Sequence, residues 1–91
     1  MAYSKEDAVE RARADLARRL GVPESEVKQE SVEQADFPDT ALGASTRDEM
    51  SGMMITPGWR IRLSAKGQTY EYRANPNQVR LYNFRGTNYR L

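Results

Sequence analysis

The side chains of this chain best suited to chemistry are carboxylates, arginines and methionines, because histidine and cysteine are both absent. Without histidine, the commonest general base at neutral pH and the commonest metal ligand are missing. Without cysteine there is no thiolate nucleophile, disulfide framework or cysteine-based zinc site. Ser–His–Asp relays, Cys–His relays and the usual zinc hydrolase sets are therefore excluded. Asp36, Asp39, Asp48 and Glu49 could supply oxygen ligands to a hard cation, but their spacing fits no EF-hand loop. Solvated loop carboxylates explain them more simply. Paired-carboxylate glycoside chemistry needs a cleft that raises one pKa, and so short a chain has little room for one. No catalytic, metal or cofactor site is assigned, and the expectation is a protein that is not an enzyme.

Two surfaces remain as candidates for binding. The first is the stretch from Phe37 to Gly58, which carries Phe37, Asp39, Leu42, Met50, Met53 and Met54. Its methionines read either as an adaptable contact surface, since thioethers repack easily, or as a cap over a thin core. Phe37 and Leu42 suit anchors that pin the loop, and Asp39 after Pro38 suits an Asx-type turn. The second surface is a row of Arg60, Arg62, Arg73, Arg80, Tyr82 and Phe84, placed by strand parity on one face of a sheet. Basic and aromatic side chains interleaved in this way could stack on and neutralise single-stranded nucleic acid. Cross-strand pairing with Glu71 and long arginine stems lying over the sheet explain the same residues.

The elements that must hold these residues are legible from spacing. Ser4 followed by Asp7 marks a helix start, with Glu6 and Asp7 at the positive end of the dipole. Val9, Ala12, Leu16 and Leu20, with Ala8 alongside, form one apolar stripe. Gly21 and Pro23 end the helix, which is predicted over 5–20. A half-exposed edge strand follows over about 27–36; Val27 and Val32 have opposite parity, so burying both requires a bulge. Periodicity disappears over 38–58, an unusual length for a structureless loop in a small domain.

Alternation then returns. Trp59, Ile61 and Leu63 alternate with Arg60, Arg62 and Ser64, and Lys66-Gly67 supplies a turn. Tyr70 and Tyr72 follow, then a second turn at Asn75-Pro76-Asn77, then Val79 and Leu81. Residues 85–91 read as a polar tail after a single domain over 1–84.

Composition, with 38% apolar and 30% charged residues, fits a thin core with a wet surface. At 91 residues the chain is one domain, able to bury only about 60–65% of its unfolded surface. Its net charge of +1 conceals an acidic first half and a basic second half. Such asymmetry marks an interaction face, or simply a helix and loop that neutralise a sheet. No segment reaches the ~20 apolar residues needed to span a bilayer. The N-terminus lacks the basic-then-apolar pattern of a secretory signal, so the expectation is cytoplasmic.

The order helix, strand, loop, aromatic strand, Gly turn and Tyr-x-Tyr strand resembles the PepSY-like and cystatin-like layout. It is carried by Ala8 to Val22, by Trp59-Arg60-Ile61-Arg62-Leu63 and by Gly67 to Arg73. More narrowly, the chain resembles small, mostly uncharacterised bacterial proteins with Trp-Pro-Asp-x-Ser-Leu-Gly, Pro-Gly-Tyr-x-Ile and Gly-x-x-Tyr-x-Tyr-His segments. Here these read Phe37-Pro38-Asp39-Thr40-Ala41-Leu42-Gly43, Pro57-Gly58-Trp59-Arg60-Ile61 and Gly67 to Arg73. Ala44-Ser45 stands where that group often has Cys-Pro, and Arg73 where it has histidine, so roles needing those residues are not implied. The PepSY resemblance implies a binding module of protease-inhibitor type; the cystatin Gln-x-Val-x-Gly loop is absent.

The sequence thus leads to an α+β domain, one N-terminal helix on a curved four-stranded antiparallel sheet. The expected function is protein or peptide binding through the 37–58 loop and an open sheet edge, as a monomer or weak homodimer. The alternative is nucleic-acid association through the basic and aromatic face.

Overall fold

The computed structural model describes residues 2–91. It has one long helix and a five-stranded antiparallel sheet, in the element order α1 (Lys5–Leu20), a short 3-10 turn (Glu24–Glu26), β1 (Lys28–Phe37), β2 (Thr56–Ala65), β3 (Gln68–Asn75), β4 (Gln78–Phe84) and β5 (Thr87–Arg90). The strands lie in chain order as a meander.

The predicted start and stop of α1 are both present. The Ser4 side chain accepts the Asp7 N–H at 3.0 Å, and the Ser4 N–H donates to the Asp7 carboxylate at 3.2 Å. These reciprocal bonds satisfy donors that a helix start otherwise leaves orphaned. Gly21 closes the other end at φ 69°, and the Gly21 and Val22 N–H groups donate to the carbonyls of Arg18 and Ala17. The stripe of Ala8, Val9, Ala12 and Leu16 packs on Ile61, Leu63, Tyr72, Ala74, Val79 and Leu81. Removing a side chain such as Leu16 from this layer costs about 2–5 kcal/mol. The helix lies over β2, β3 and β4 and meets β1 only at its margin, where Val9 and Val32 line a shared groove.

In β1 the bulge required by Val27 and Val32 is found at the shift between Gln29 and Ser31. Val27 is then buried, while Val32 is half-buried and faces the helix side opposite Ile61.

Three corrections follow. The sheet has five strands where four were expected, because residues 87–90 pair with β4 and do not form a free tail. Phe84 is not on the basic face. Tyr82 and Asn83 oppose the single Asn88, Asn83 sits at φ 52°, and the extra residue turns the Phe84 ring into the helix-side core. Finally, β2 begins at Thr56, so Pro57 and Gly58 belong to a strand paired with Asp36 and Ala35.

The two turns at one end of the meander share a pattern. Lys66-Gly67 joins β2 to β3, and Arg85-Gly86 joins β4 to β5, each as a two-residue loop with both residues at positive φ. The first place in such a turn favours Asn, Asp or Gly. A long side chain there costs roughly 1 kcal/mol.

Candidate binding surface

The connection 38–55 has no helix or strand, yet its first half is firmly built onto the outer face of the sheet. Asp39 makes the expected Asx turn, its carboxylate accepting the N–H groups of Ala41 and Gly43, both at 2.9 Å. That turn drops Phe37, Ala41, Leu42 and Ala44 onto the sheet, where all four are buried. Leu42 and Gly43 both adopt left-handed backbone. At Gly43 a Cβ would also come within 2.7 Å of the Arg73 guanidinium, so glycine spares that side chain a shift as well as suiting the left-handed backbone.

The outer-face arginines hold this layer down. Arg73 donates to the carbonyls of Leu42 at 3.1 Å and Gly43 at 3.2 Å, and its guanidinium lies 3.7 Å from the Tyr82 ring centre. Arg80 is only 2% exposed. It grips Glu49 through both guanidinium nitrogens and takes a second acceptor from the Gln78 side chain at 2.6 Å. Gln78 reaches the Thr40 carbonyl at 2.7 Å, and Asn88 of β5 reaches that of Ser45 at 3.0 Å. The Arg80 pair, with burial opposing it, holds the Glu49 carboxyl down at about 2. Arg60, Arg62 and Arg73 all lie within ion-pair distance of Glu71. These arginines are therefore used inside the fold: one is buried and the others share a carboxylate.

The second half of the connection is different. Met50 is 98% exposed, Met53 92%, Met54 65% and Ile55 71%. Of the two readings of these methionines, the cap over the core is thus set aside, because their side chains lie in solvent. The tip is pinned midway, where the Thr40 N–H donates to the Gly52 carbonyl at 3.0 Å and the Gly52 N–H to the Thr40 hydroxyl at 2.7 Å. Among the candidates, Phe37, Asp39 and Leu42 are therefore supports, and Met50, Met53 and Met54 form the free surface, joined by Ile55.

β1 is an edge strand with one free side, and it leads into the connection at Phe37. Its side chains are mostly exposed, and Glu30, Glu33 and Asp36 outnumber Lys28 as charges along it. Trp59, which shares the strand parity of the buried Ile61 and Leu63, is only half-buried at the margin of the layer beneath α1.

The four loop carboxylates are not assembled for a cation: Asp39 is committed to backbone and Glu49 to Arg80. Among the described residues no group of three or more acidic side chains converges. No described helix is long and apolar enough to cross a membrane.

One polar constellation escaped the sequence. Asp15 is 1% exposed on the inner face of α1. It accepts from the Tyr72 hydroxyl at 2.8 Å, Arg19 Nε at 2.6 Å and Arg18 at 3.0 Å. Burial alone would raise its pKa, but these donors outweigh it and hold the carboxyl below its ordinary value. Burial, and then the Asp15 charge, pushes the Tyr72 hydroxyl far upward. The available signal was an acid directly before Leu16 on the apolar stripe, with arginines three and four residues on.

No curated protein matches this chain, and no solved structure does. Residues 9–82, from the second turn of α1 through Tyr82 of β4, match the family model described as a domain of unknown function, DUF8738, and the chain belongs to that family.

Proposed function

We propose that this domain is a non-enzymatic protein- or peptide-binding module that engages its partner through the Met50–Ile55 tip and the free edge of β1. The observation that carries this reading is the exposure of four large apolar side chains within six residues, on a loop whose base is anchored by buried contacts. Exposed apolar clusters on small domains mark interaction surfaces, and thioethers adapt to varied partners. A supported base holding out an apolar tip also limits the ordering cost of binding. That economy, together with the helix-on-sheet layout, is what favours an inhibitor-type role of the PepSY or cystatin kind. The edge of β1 adds main-chain donors and acceptors for an extended segment.

The test replaces the tip alone. Met50, Met53, Met54 and Ile55 are changed to serine together, leaving Asp39, Leu42 and Glu49 in place. Nuclease-treated lysate is then passed over both proteins, and each is weighed in solution by sedimentation. A protein captured by the native chain and lost with the serine tip supports the reading. Capture undiminished by the serine tip rejects it. A native dimer that dissociates in the variant would identify the tip as a self-association surface.

A further inference from the structure

We propose that the groove between the C-terminal end of α1 and the two cationic hairpin turns is a binding site for a small phosphorylated molecule. The groove has a volume of about 700 Å3, and Arg19, Lys66 and Arg85 are its charged lining residues. No carboxylate lines it. Among the described residues neither Lys66 nor Arg85 makes an ion pair. Lys66 and Arg85 are thus held without a local counter-charge beside Arg19, which Asp15 engages through Nε.

Three features set this cluster apart from an ordinary solvated surface. First, Lys66 at φ 52° and Arg85 at φ 53° each occupy a turn position that disfavours long side chains. Both turns place a cation where Asn or Gly would be more stable, which fits charge being selected at the expense of stability. Second, two guanidiniums are held over one ring: Arg19 lies 5.8 Å and Arg85 5.0 Å from the centre of Phe84. Arg19 is fixed further by Asp15 at 2.6 Å and by the Tyr89 ring at 4.3 Å. A fixed, planar fork of this kind suits bidentate binding of phosphoryl oxygens. Third, the negative end of the α1 dipole would by itself repel an anion, and Arg19, in the last turn of α1, lines the groove with the opposite charge.

The size and the remaining lining define the ligand class. A volume of this order lies within the range for small-molecule sites and exceeds a bare phosphate. Gln68, Thr69 and Asn83 add neutral hydrogen-bonding groups for a hydroxylated body beside the phosphoryl group. A nucleic-acid strand would instead call for a basic track, whereas Glu26 and Glu30 line the hollow on the other side of the Lys66 turn.

The experiment is an amide-resolved NMR titration of the full chain with inorganic pyrophosphate and with glucose 6-phosphate, using sulfate at matched ionic strength as the control. Saturable shifts confined to residues 66–70, 83–86 and the end of α1 are expected. The informative variant is Lys66→Asn with Arg85→Asn, which removes both charges and suits the turns better. Affinity should fall at least about tenfold while the thermal midpoint rises by several degrees. The proposal is overturned by shifts that do not saturate by about 10 mM, by sulfate reproducing them, or by an unchanged affinity in the double variant. A single-stranded oligonucleotide that binds more tightly than both probes would also overturn it, in favour of a nucleic-acid strand.

Discussion

Arg80 of β4 and Glu49 of the long connection, 31 residues apart in sequence, meet in a two-pronged ion pair that fastens the connection to the sheet. The partners are not equally placed: Arg80 is 2% exposed and Glu49 19%. Removing Glu49 therefore strands a buried cation, whereas removing Arg80 leaves a carboxylate that can turn to water. Glu49→Ala should lower unfolding free energy by about 3 kcal/mol, and Arg80→Met by clearly less. Urea unfolding of the two variants checks this, and equal losses would contradict the asymmetry.

Acid should loosen the same clasp. The folded-state pKa of Glu49 lies at about 2 against an ordinary 4.5, so it is depressed on folding. A depressed carboxylate contributes stability that is present above the ordinary value and lost as the pH falls through the folded one. Between about pH 4.5 and pH 2 the domain should lose on the order of 2 kcal/mol from this group, after screening by solvent is allowed for. Asp15, also held low, adds a loss of the same sign beginning near its own ordinary value of 3.8. Urea midpoints measured from pH 7 down to pH 2 should show the decline, and Glu49→Gln should flatten it. A variant with the native slope would remove Glu49 from the explanation.

Much of the frame was legible because local rules and the fold agree. Ser4, Asp7 and Gly21 delimited α1; Ile61, Leu63, Val79 and Leu81 set the buried parity of β2 and β4; the opposed parity of Val27 and Val32 gave the bulge in β1. What failed depended on single residues or on distant partners. β5 was missed because Arg85-Gly86 is a weak hairpin signal and Thr87 to Arg90 are mostly polar. Phe84 was assigned to the wrong face because one bulge residue reverses parity, and Asn83 carries little local sign of it. Arg80 read as solvent-facing from its strand position; its burial depends on a loop with no periodicity of its own. Of the candidate site, Asp39 was legible as a turn, whereas the exposure of the methionines was left open between two readings.

Tyr72 and Asp15 make a buried polar link between sheet and helix, and its two ends should differ in cost. Tyr72→Phe removes one donor from a carboxylate that keeps Arg18 and Arg19, so a loss of about 1–2 kcal/mol is expected. Asp15→Ala leaves the Tyr72 hydroxyl without its acceptor, frees Arg19 from its anchor and opens a small void. A loss of about 3 kcal/mol follows. Chemical denaturation of both variants tests the order, and Tyr72→Phe proving the worse of the two would refute it. In the phosphate groove, Asp15→Ala should also weaken pyrophosphate binding, since Arg19 would no longer be held in place.

Gly58 explains physically why a Pro-Gly-aromatic segment opens β2. A Cβ at this position would lie 2.3 Å from the Ala74 carbonyl oxygen of β3 and 3.2 Å from the Phe37 ring. The first neighbour is backbone and cannot step aside without parting β2 from β3. The second is the residue that ends β1 and begins the loop-covered layer. Gly58→Ala should therefore cost about 2–3 kcal/mol as an overpacking defect, although glycine is otherwise a poor strand former. The damage should be local: amide exchange ought to accelerate first in residues 37–44 and 56–60, while α1 keeps its protection until global unfolding. An alanine variant as stable as the native chain would mean that the two strands can separate at this point without penalty. The seating of Phe37 would then have to rest on Arg60 and Arg73, whose guanidiniums lie 5.7 Å and 5.3 Å from its ring centre.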